Sequence, residues 1–311
     1  MKTIAIYGIG GFVGTAAAEY FLEQGYHVVG LIKDRNRKYR PEIHKRCSII
    51  YGDVRDKEIH PYLLSKYEAD YVLYLAAQPI VRICNNDPYT AYMTNVVGTL
   101  NFMEALRTLK KKPKKTVIIS SDKAFGLAPP PYTEETPLVP ADSYCTSKAC
   151  QDMVAKSYAI TYDLPVCIVR AGNLYGPDLN LSRLIPGSIM KLLRGESPML
   201  YTGVANYLRE FTYIEDLLRA FSTLLEKGVS GEAYNVGGTQ PQRIGKVIEM
   251  IRDKINPETP IELVDRDFFE LEEQWLCADK LKALGWTPQV DISEGLDRTI
   301  SWFKEYKCVT L

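Results

Sequence analysis

A chain of 311 residues, 46% of them hydrophobic, carries enough apolar side chain for one large folded unit or two sharing a core, so disorder is not the default. Lysine plus arginine and aspartate plus glutamate both number 38, and a formal net charge of zero gives no footprint for nucleic acid or a membrane surface. Seven scattered cysteines without a CxxC pair, three histidines and no apolar run of roughly 18 residues argue against a metal site and a membrane helix, leaving a cytoplasmic protein with free thiols and a small-molecule substrate.

The opening MKTIAIYGIG reads as a strand entering a glycine turn, not as a secretion signal. From there short β-branched runs alternate with helix-length segments. Strands are expected at 4–7, 27–32, 48–51, 72–75, 116–119 and 166–170, with helices at 12–24, 89–109 and 143–161. Such βαβ repetition predicts an α/β fold, a Rossmann doubly wound parallel sheet. Past Gly176-Pro177 the rhythm changes to helices at 184–193, 244–255, 278–284 and 293–306, separated by Pro- and Gly-bearing loops. The expectation is a dinucleotide-binding domain over 1–175 and a smaller, mostly helical substrate lobe over 176–311, with segments near 211–237, a strand at 233–236 among them, returning to the sheet. The basic run 110–115 is a solvated turn before a strand.

Gly8, Gly11 and Gly14 lie between the first strand and first helix, in GIGGFVG. Glycine lets the backbone approach a pyrophosphate, and the helix start at Phe12 and Val13 supplies N–H donors and partial positive charge. The second strand ends in Ile32-Lys33-Asp34-Arg35, a mixed signal. Asp34 suits the ribose hydroxyl of NAD, whereas Lys33 and Arg35 suit the 2′-phosphate of NADP, and the balance leans to NADP because Ile32 stands where an acid would directly follow the strand. Asp53 and Val54, after the third strand, meet the adenine edge or form a turn.

SSDKAFG follows the 116–119 strand and puts Ser121, Asp122 and Lys123 at its exit, where Asp122 and Lys123, as adjacent residues of an extended segment, are expected to point to opposite sides. Tyr144 and Lys148 stand four apart on one helix face. A phenol with a pKa near 10 is a poor base at neutral pH unless a neighbouring cation favours phenolate.

These motifs, with LAAQPIVR, TNVVGT and RAGNLYGPDLN, resemble the extended short-chain dehydrogenase/reductase family over essentially the whole chain. Ser-Asp-Lys at the strand exit is most similar to nucleotide-sugar 4,6-dehydratases, the CDP-glucose branch in particular; epimerases of the family usually have small uncharged residues at 122 and 123. The resemblance implies that Leu75, Ala76 and Ala77 line the cofactor, as do Tyr144 and Lys148. Gln78, Arg82, Asn173, Arg183 and Arg209 would line the pocket of a nucleotide-diphosphate sugar, the arginines gripping phosphate. Tyr144 would take the C4 hydroxyl proton, with Lys148 tuning the phenol and Ser121 bonding the hydroxyl; Asp122 and Lys123 would act as acid and base for elimination of water across C5 and C6. It also implies a homodimer through a four-helix interface built from the 89–109 and 143–161 helices. Two alternatives stay open: a 4-epimerase or 4-dehydrogenase on the same scaffold, and a non-catalytic dinucleotide-sensing protein.

Overall fold

The computed structural model describes residues 1–34, 40–266 and 270–310. Seven parallel strands form its main sheet: β1 (Thr3–Tyr7), β2 (His27–Ile32), β3 (Ser48–Tyr51), β4 (Tyr71–Tyr74), β5 (Lys115–Ile119), β6 (Val166–Ala171) and the later β11 (Ala233–Val236). The shorter strands are β7 (Asn173–Tyr175), β8 (Met199–Tyr201), β9 (Leu208–Arg209), β10 (Phe211–Tyr213), β12 (Gln242–Arg243), β13 (Glu262–Val264) and β14 (Glu273–Gln274). The main order β11-β6-β5-β4-β1-β2-β3 reverses direction beside β1, so the carboxyl ends of β1 and β4 open a crevice there.

The strands carry near-continuous apolar runs because both faces are covered: Ile4, Ala5, Ile6 and Tyr7 are all fully buried. One face packs on the helices Phe12–Glu23 and Ile214–Lys227, through Ala17, Phe21, Leu217 and Phe221. The other packs on Ile59–Tyr67, Gly98–Thr108 and Ser143–Thr161, through Leu63, Phe102 and Ala155. Asp142 opens the Ser143–Thr161 helix by accepting from the Cys145 N–H at 2.7 Å, so the helix that carries Tyr144 and Lys148 starts where an N-cap fixes it.

The 89–109 segment departs from one regular helix. Pro88–Tyr92 and Gly98–Thr108 are α-helical, but Met93–Val97 between them is a π-helical turn. Its Asn95 is fully buried and grips the Gln78 backbone from both sides, accepting from the N–H at 2.8 Å and donating to the carbonyl at 3.2 Å. The same amide donates to the Ser147 hydroxyl at 2.9 Å, tying the loop after β4 to the Ser143–Thr161 helix. Such turns re-aim side chains near functional sites.

Residues 176–311 carry the four expected helices but also two- and three-residue strands: β9 pairs with β12 and β14, and β8 with β13. β11 adds to the edge of the main sheet beside β6, and β10 pairs with β7. Among the described residues no helix is long and apolar enough to cross a membrane, and no group of three or more His, Cys, Asp and Glu could hold a metal ion.

Candidate active site

A cavity of about 1100 Å³ runs from the glycine turn, past the ends of β1, β4 and β5, to the loop after β7. At its floor Gly8 has φ +84°, and a Cβ there would come within 3.0 Å of the Ala76 backbone. A Cβ on Gly14 would lie 2.2 Å from the Gly8 carbonyl oxygen, so only glycine lets helix and turn close together. Gly11, Phe12 and Val13 line the same wall, with Leu75, Ala76 and Ala77 opposite. Gly11 caps the helix without a side-chain bond, leaving the first-turn N–H groups to meet an anion. This bare cradle fits a dinucleotide pyrophosphate. Gly14→Ala is expected to cost about 1–3 kcal/mol of stability in urea unfolding and to weaken dinucleotide binding by about tenfold or more; equal affinities by calorimetry would contradict the cradle.

At the ribose end Lys33, Asp34, Asp53 and Val54 line the cavity. Lys33 Nζ is 3.0 Å from Asp53 Oδ2, and Arg55 bonds the same carboxylate at 2.7 Å. Burial would raise this carboxyl, but hydrogen bonds from Arg55 and Lys33 outweigh it and hold Asp53 well below the usual range. Lys33, expected to meet a 2′-phosphate, is thus already paired with an acid. Arg35 lies outside the described residues.

At the other end, β5 delivers the chemistry. The expectation that Asp122 and Lys123 sit on extended backbone is corrected: Asp122–Phe125 is a 3₁₀ turn, because the Ser121 hydroxyl caps it by accepting from the Lys123 N–H at 3.2 Å. Successive residues of such a turn still diverge, and the two side chains take different partners. Asp122 Oδ1 accepts from Ser121 Oγ at 3.0 Å, while Lys123 Nζ reaches across to Gln274 Oε1 of β14. Ser121, Asp122, Lys123, Tyr144 and Lys148 all line the one cavity.

Lys148, 2% exposed, donates to the Ile119 carbonyl at 2.8 Å and to Gln151 Oε1, which pins it to the end of β5. Burial brings its pKa down to about 7, against the pull of Asp152. The spacing of Tyr144 and Lys148 suggests a lowered phenol, but the direction is upward: burial dominates, the Ser121 hydrogen bond opposes it, and Asp122 adds to it.

The substrate-side residues divide. Gln78, Asn173 and Arg183 line the cavity, Asn173 with its amide on the Glu210 carbonyl at 3.0 Å and Arg183 at 3.6 Å from Asp178. Arg82 is exposed and is not a lining residue, because the Val81–Asn86 helix turns Val81 inward instead. Arg209 lines an adjoining cavity of about 410 Å³ together with Asn173 and Arg183. Its guanidinium is 3% exposed and engaged with the Leu208, Leu271 and Glu272 carbonyls and with Glu270 at 2.8 Å. It fastens the β9–β14 pair, a structural task the sequence does not announce.

Sequence reasoning passed over Glu210. This glutamate is 4% exposed and accepts from the Leu276 N–H at 2.9 Å. Burial raises its pKa to about 7, backbone hydrogen bonds opposing and nearby Asp122 assisting. The folded chain therefore holds this proton more tightly than the unfolded chain, so stability contributed by protonated Glu210 is present below the ordinary glutamate value of 4.5 and is lost as pH rises toward about 7. In urea titrations Glu210→Gln is expected to flatten that fall; an unchanged slope would assign it to another group. A charged residue beside an apolar strand start was the available signal.

The profile of the family described as GDP-mannose 4,6 dehydratase matches residues 5–299. The chain is 28% identical to dTDP-glucose 4,6-dehydratase 1 of Escherichia coli K12, over 96% of this chain and 92% of that protein. It is also 28% identical to a trifunctional UDP-glucose 4,6-dehydratase/3,5-epimerase/reductase of Arabidopsis thaliana, covering 98% of this chain but only 47% of that protein, so it spans about half of that relative's length. Among solved structures, dTDP-glucose 4,6-dehydratase of Streptomyces venezuelae with NAD and TYD bound superposes with TM-score 0.89 at 27% identity, over 99% of this chain and 98% of that one. UDP-glucose 4-epimerase of Thermotoga maritima superposes with TM-score 0.91 at 24% identity, over 98% and 99%, a likeness of fold.

Proposed function

The chain belongs to the GDP-mannose 4,6-dehydratase family, among the nucleotide-sugar dehydratases and epimerases of the extended short-chain dehydrogenase/reductase type, and from that premise we propose that it is a nucleotide-sugar 4,6-dehydratase. The observation that carries this reading is the acid and amine, Asp122 and Lys123, lining the same cavity as Ser121 and Tyr144. Proton transfer at C4 alone, as in an epimerase, gives those two groups nothing to do; elimination across C5 and C6 needs both.

In this reading Tyr144 takes the C4 hydroxyl proton, and Ser121, within hydrogen-bond reach of the phenol, holds that hydroxyl in line. A bound dinucleotide supplies the hydride acceptor at C4 and the donor at C6, and its oxidised ring adds positive charge that favours phenolate. Lys148 is fixed beside the site by the Ile119 carbonyl. Once C4 is a ketone the C5 proton is acidic; Lys123 removes it, and Asp122 protonates the departing C6 hydroxyl. Gly8, Gly11, Gly14 and the Phe12–Glu23 helix start hold the dinucleotide, and Asn173 and Arg183 reach the diphosphate.

We read the dinucleotide as NAD: dTDP-glucose 4,6-dehydratases of Bacillus anthracis and Streptomyces venezuelae were solved with it, and Lys33 is already paired with Asp53. The Asp122-Lys123 order supports the CDP-glucose branch. A homodimer is supported by Leu100, Met153 and Ile160, apolar yet exposed on the Gly98–Thr108 and Ser143–Thr161 helices.

The test is mass spectrometry of products from CDP-glucose, GDP-mannose, UDP-glucose and dTDP-glucose, each with NAD or NADP. Loss of one water from any of them supports the dehydratase. An isomer, or a 4-keto product at full hydration with reduced cofactor released, would establish the epimerase or 4-dehydrogenase instead.

A further inference from the structure

Lys123 needs a partner that holds it in place without holding its proton. The two most obvious acids do neither: Asp122 takes the Ser121 hydroxyl, and Glu210 takes the Leu276 N–H. The side chain that meets Lys123 Nζ is Gln274, 151 residues later in the chain.

Gln274 is fully buried and belongs to β14, whose partner β9 fixes its backbone: Gln274 stands opposite Arg209, and its carbonyl accepts from the Glu210 N–H at 3.2 Å. On its far side Tyr132 closes the site, with its N–H on the Trp275 carbonyl at 3.0 Å and its carbonyl accepting from the Cys277 N–H at 2.7 Å. The Gln274 side chain faces the buried Tyr132 hydroxyl, but neither that hydroxyl nor Gln274 Nε2 reaches full hydrogen-bond geometry. A fully buried glutamine whose amide nitrogen has at best one poorly aligned partner is costly, and packing alone is served better by leucine or methionine. The polar group is thus retained for what its oxygen does.

We propose that Gln274 is the positioning residue for Lys123, a neutral acceptor that aims the amine into the cavity while leaving it free to give up a proton. A neutral amide oxygen accepts from both ammonium and neutral amine and favours the ammonium far less than a carboxylate there would. With the amine aimed, Lys123 takes the C5 proton, the C5–H electron pair becomes the C5–C6 double bond, the C6–O bond breaks, and the oxygen leaves as water with the proton from Asp122. This rests on the dehydratase reading.

Two variants test it in the full-length protein with NAD and whichever nucleotide hexose loses water. Gln274→Glu places a carboxylate against Lys123, and the acid limb of its kcat profile is expected to move up by about one pH unit or more, with KM little changed. The other ionisable groups around the pair, Asp122, Tyr132, Tyr144, Cys145, Arg209 and Glu210, are common to both proteins, so the shift reports on position 274. Gln274→Met keeps volume and removes the acceptor; it is expected to slow solvent deuterium uptake at C5 by about tenfold or more while the rate of C4 oxidation stays. Should Gln274→Glu fail to fold, Gln274→Met decides alone. A wild-type pH profile in Gln274→Glu, or C4 oxidation and C5 exchange falling together in Gln274→Met, would overturn the inference and leave the dehydratase standing. A wild-type protein that removes water from no nucleotide hexose would instead remove the reading and, with it, this role.

Discussion

Tyr144→Phe is expected to lower kcat by about 10² to 10⁴-fold, the usual weight of a positioned acid–base group, with substrate and dinucleotide affinity nearly unchanged. The ring keeps its packing against Cys84, Ala91 and Val81, so the fold survives the loss of one oxygen. Ser121 retains its bonds to Asp122 and to the Lys123 N–H, so the strand exit keeps its shape. Single-turnover absorbance of reduced nicotinamide checks this directly, since C4 oxidation is the step lost. A kcat within about threefold of wild type would take the base role away from Tyr144.

Asp122→Asn and Lys123→Ala are expected to show the opposite pattern. Each should slow water loss by about 10² to 10⁴-fold, while C4 oxidation proceeds and the reduced nicotinamide signal persists instead of decaying. Neither change touches the glycine cradle, and Ser121 still caps the turn through the backbone N–H of residue 123. Full dehydration by both variants would reduce Asp122 and Lys123 to structural roles. Loss of C4 oxidation together with elimination would make them substrate-positioning groups and favour the epimerase or dehydrogenase alternative.

The main sheet was legible because its strands are buried on both faces and read as continuous apolar runs; His27–Ile32, Ser48–Tyr51 and Ala233–Val236 appear over the expected spans. The Ser143–Thr161 helix, a helix-length segment between two strands, also appears over its expected span. The two-residue strands β9, β12 and β14 were not, since a run that short has no period to detect. Asp122 and Lys123 were misread as extended because the preceding strand set the expectation, whereas a single hydroxyl bond from Ser121 decides the local backbone. Arg209 shows the limit of motif reading. Its residue type suits a phosphate, but three carbonyls and Glu270 absorb its donors, and all of those partners but the adjoining Leu208 lie 61 to 63 residues away in the chain.

Asn95, Gln78 and Ser147 depend on a helical turn with one residue more than an α-helix needs. The wide turn absorbs that extra residue and leaves the helix beyond it in phase. Deleting one residue from Met93–Val97 would restore regular winding with Phe102 and Met103 still on the sheet face they cover, but would withdraw the bulge that carries Asn95 to Gln78 and Ser147. The segment therefore tolerates exchange of its exposed side chains far better than any change in its length.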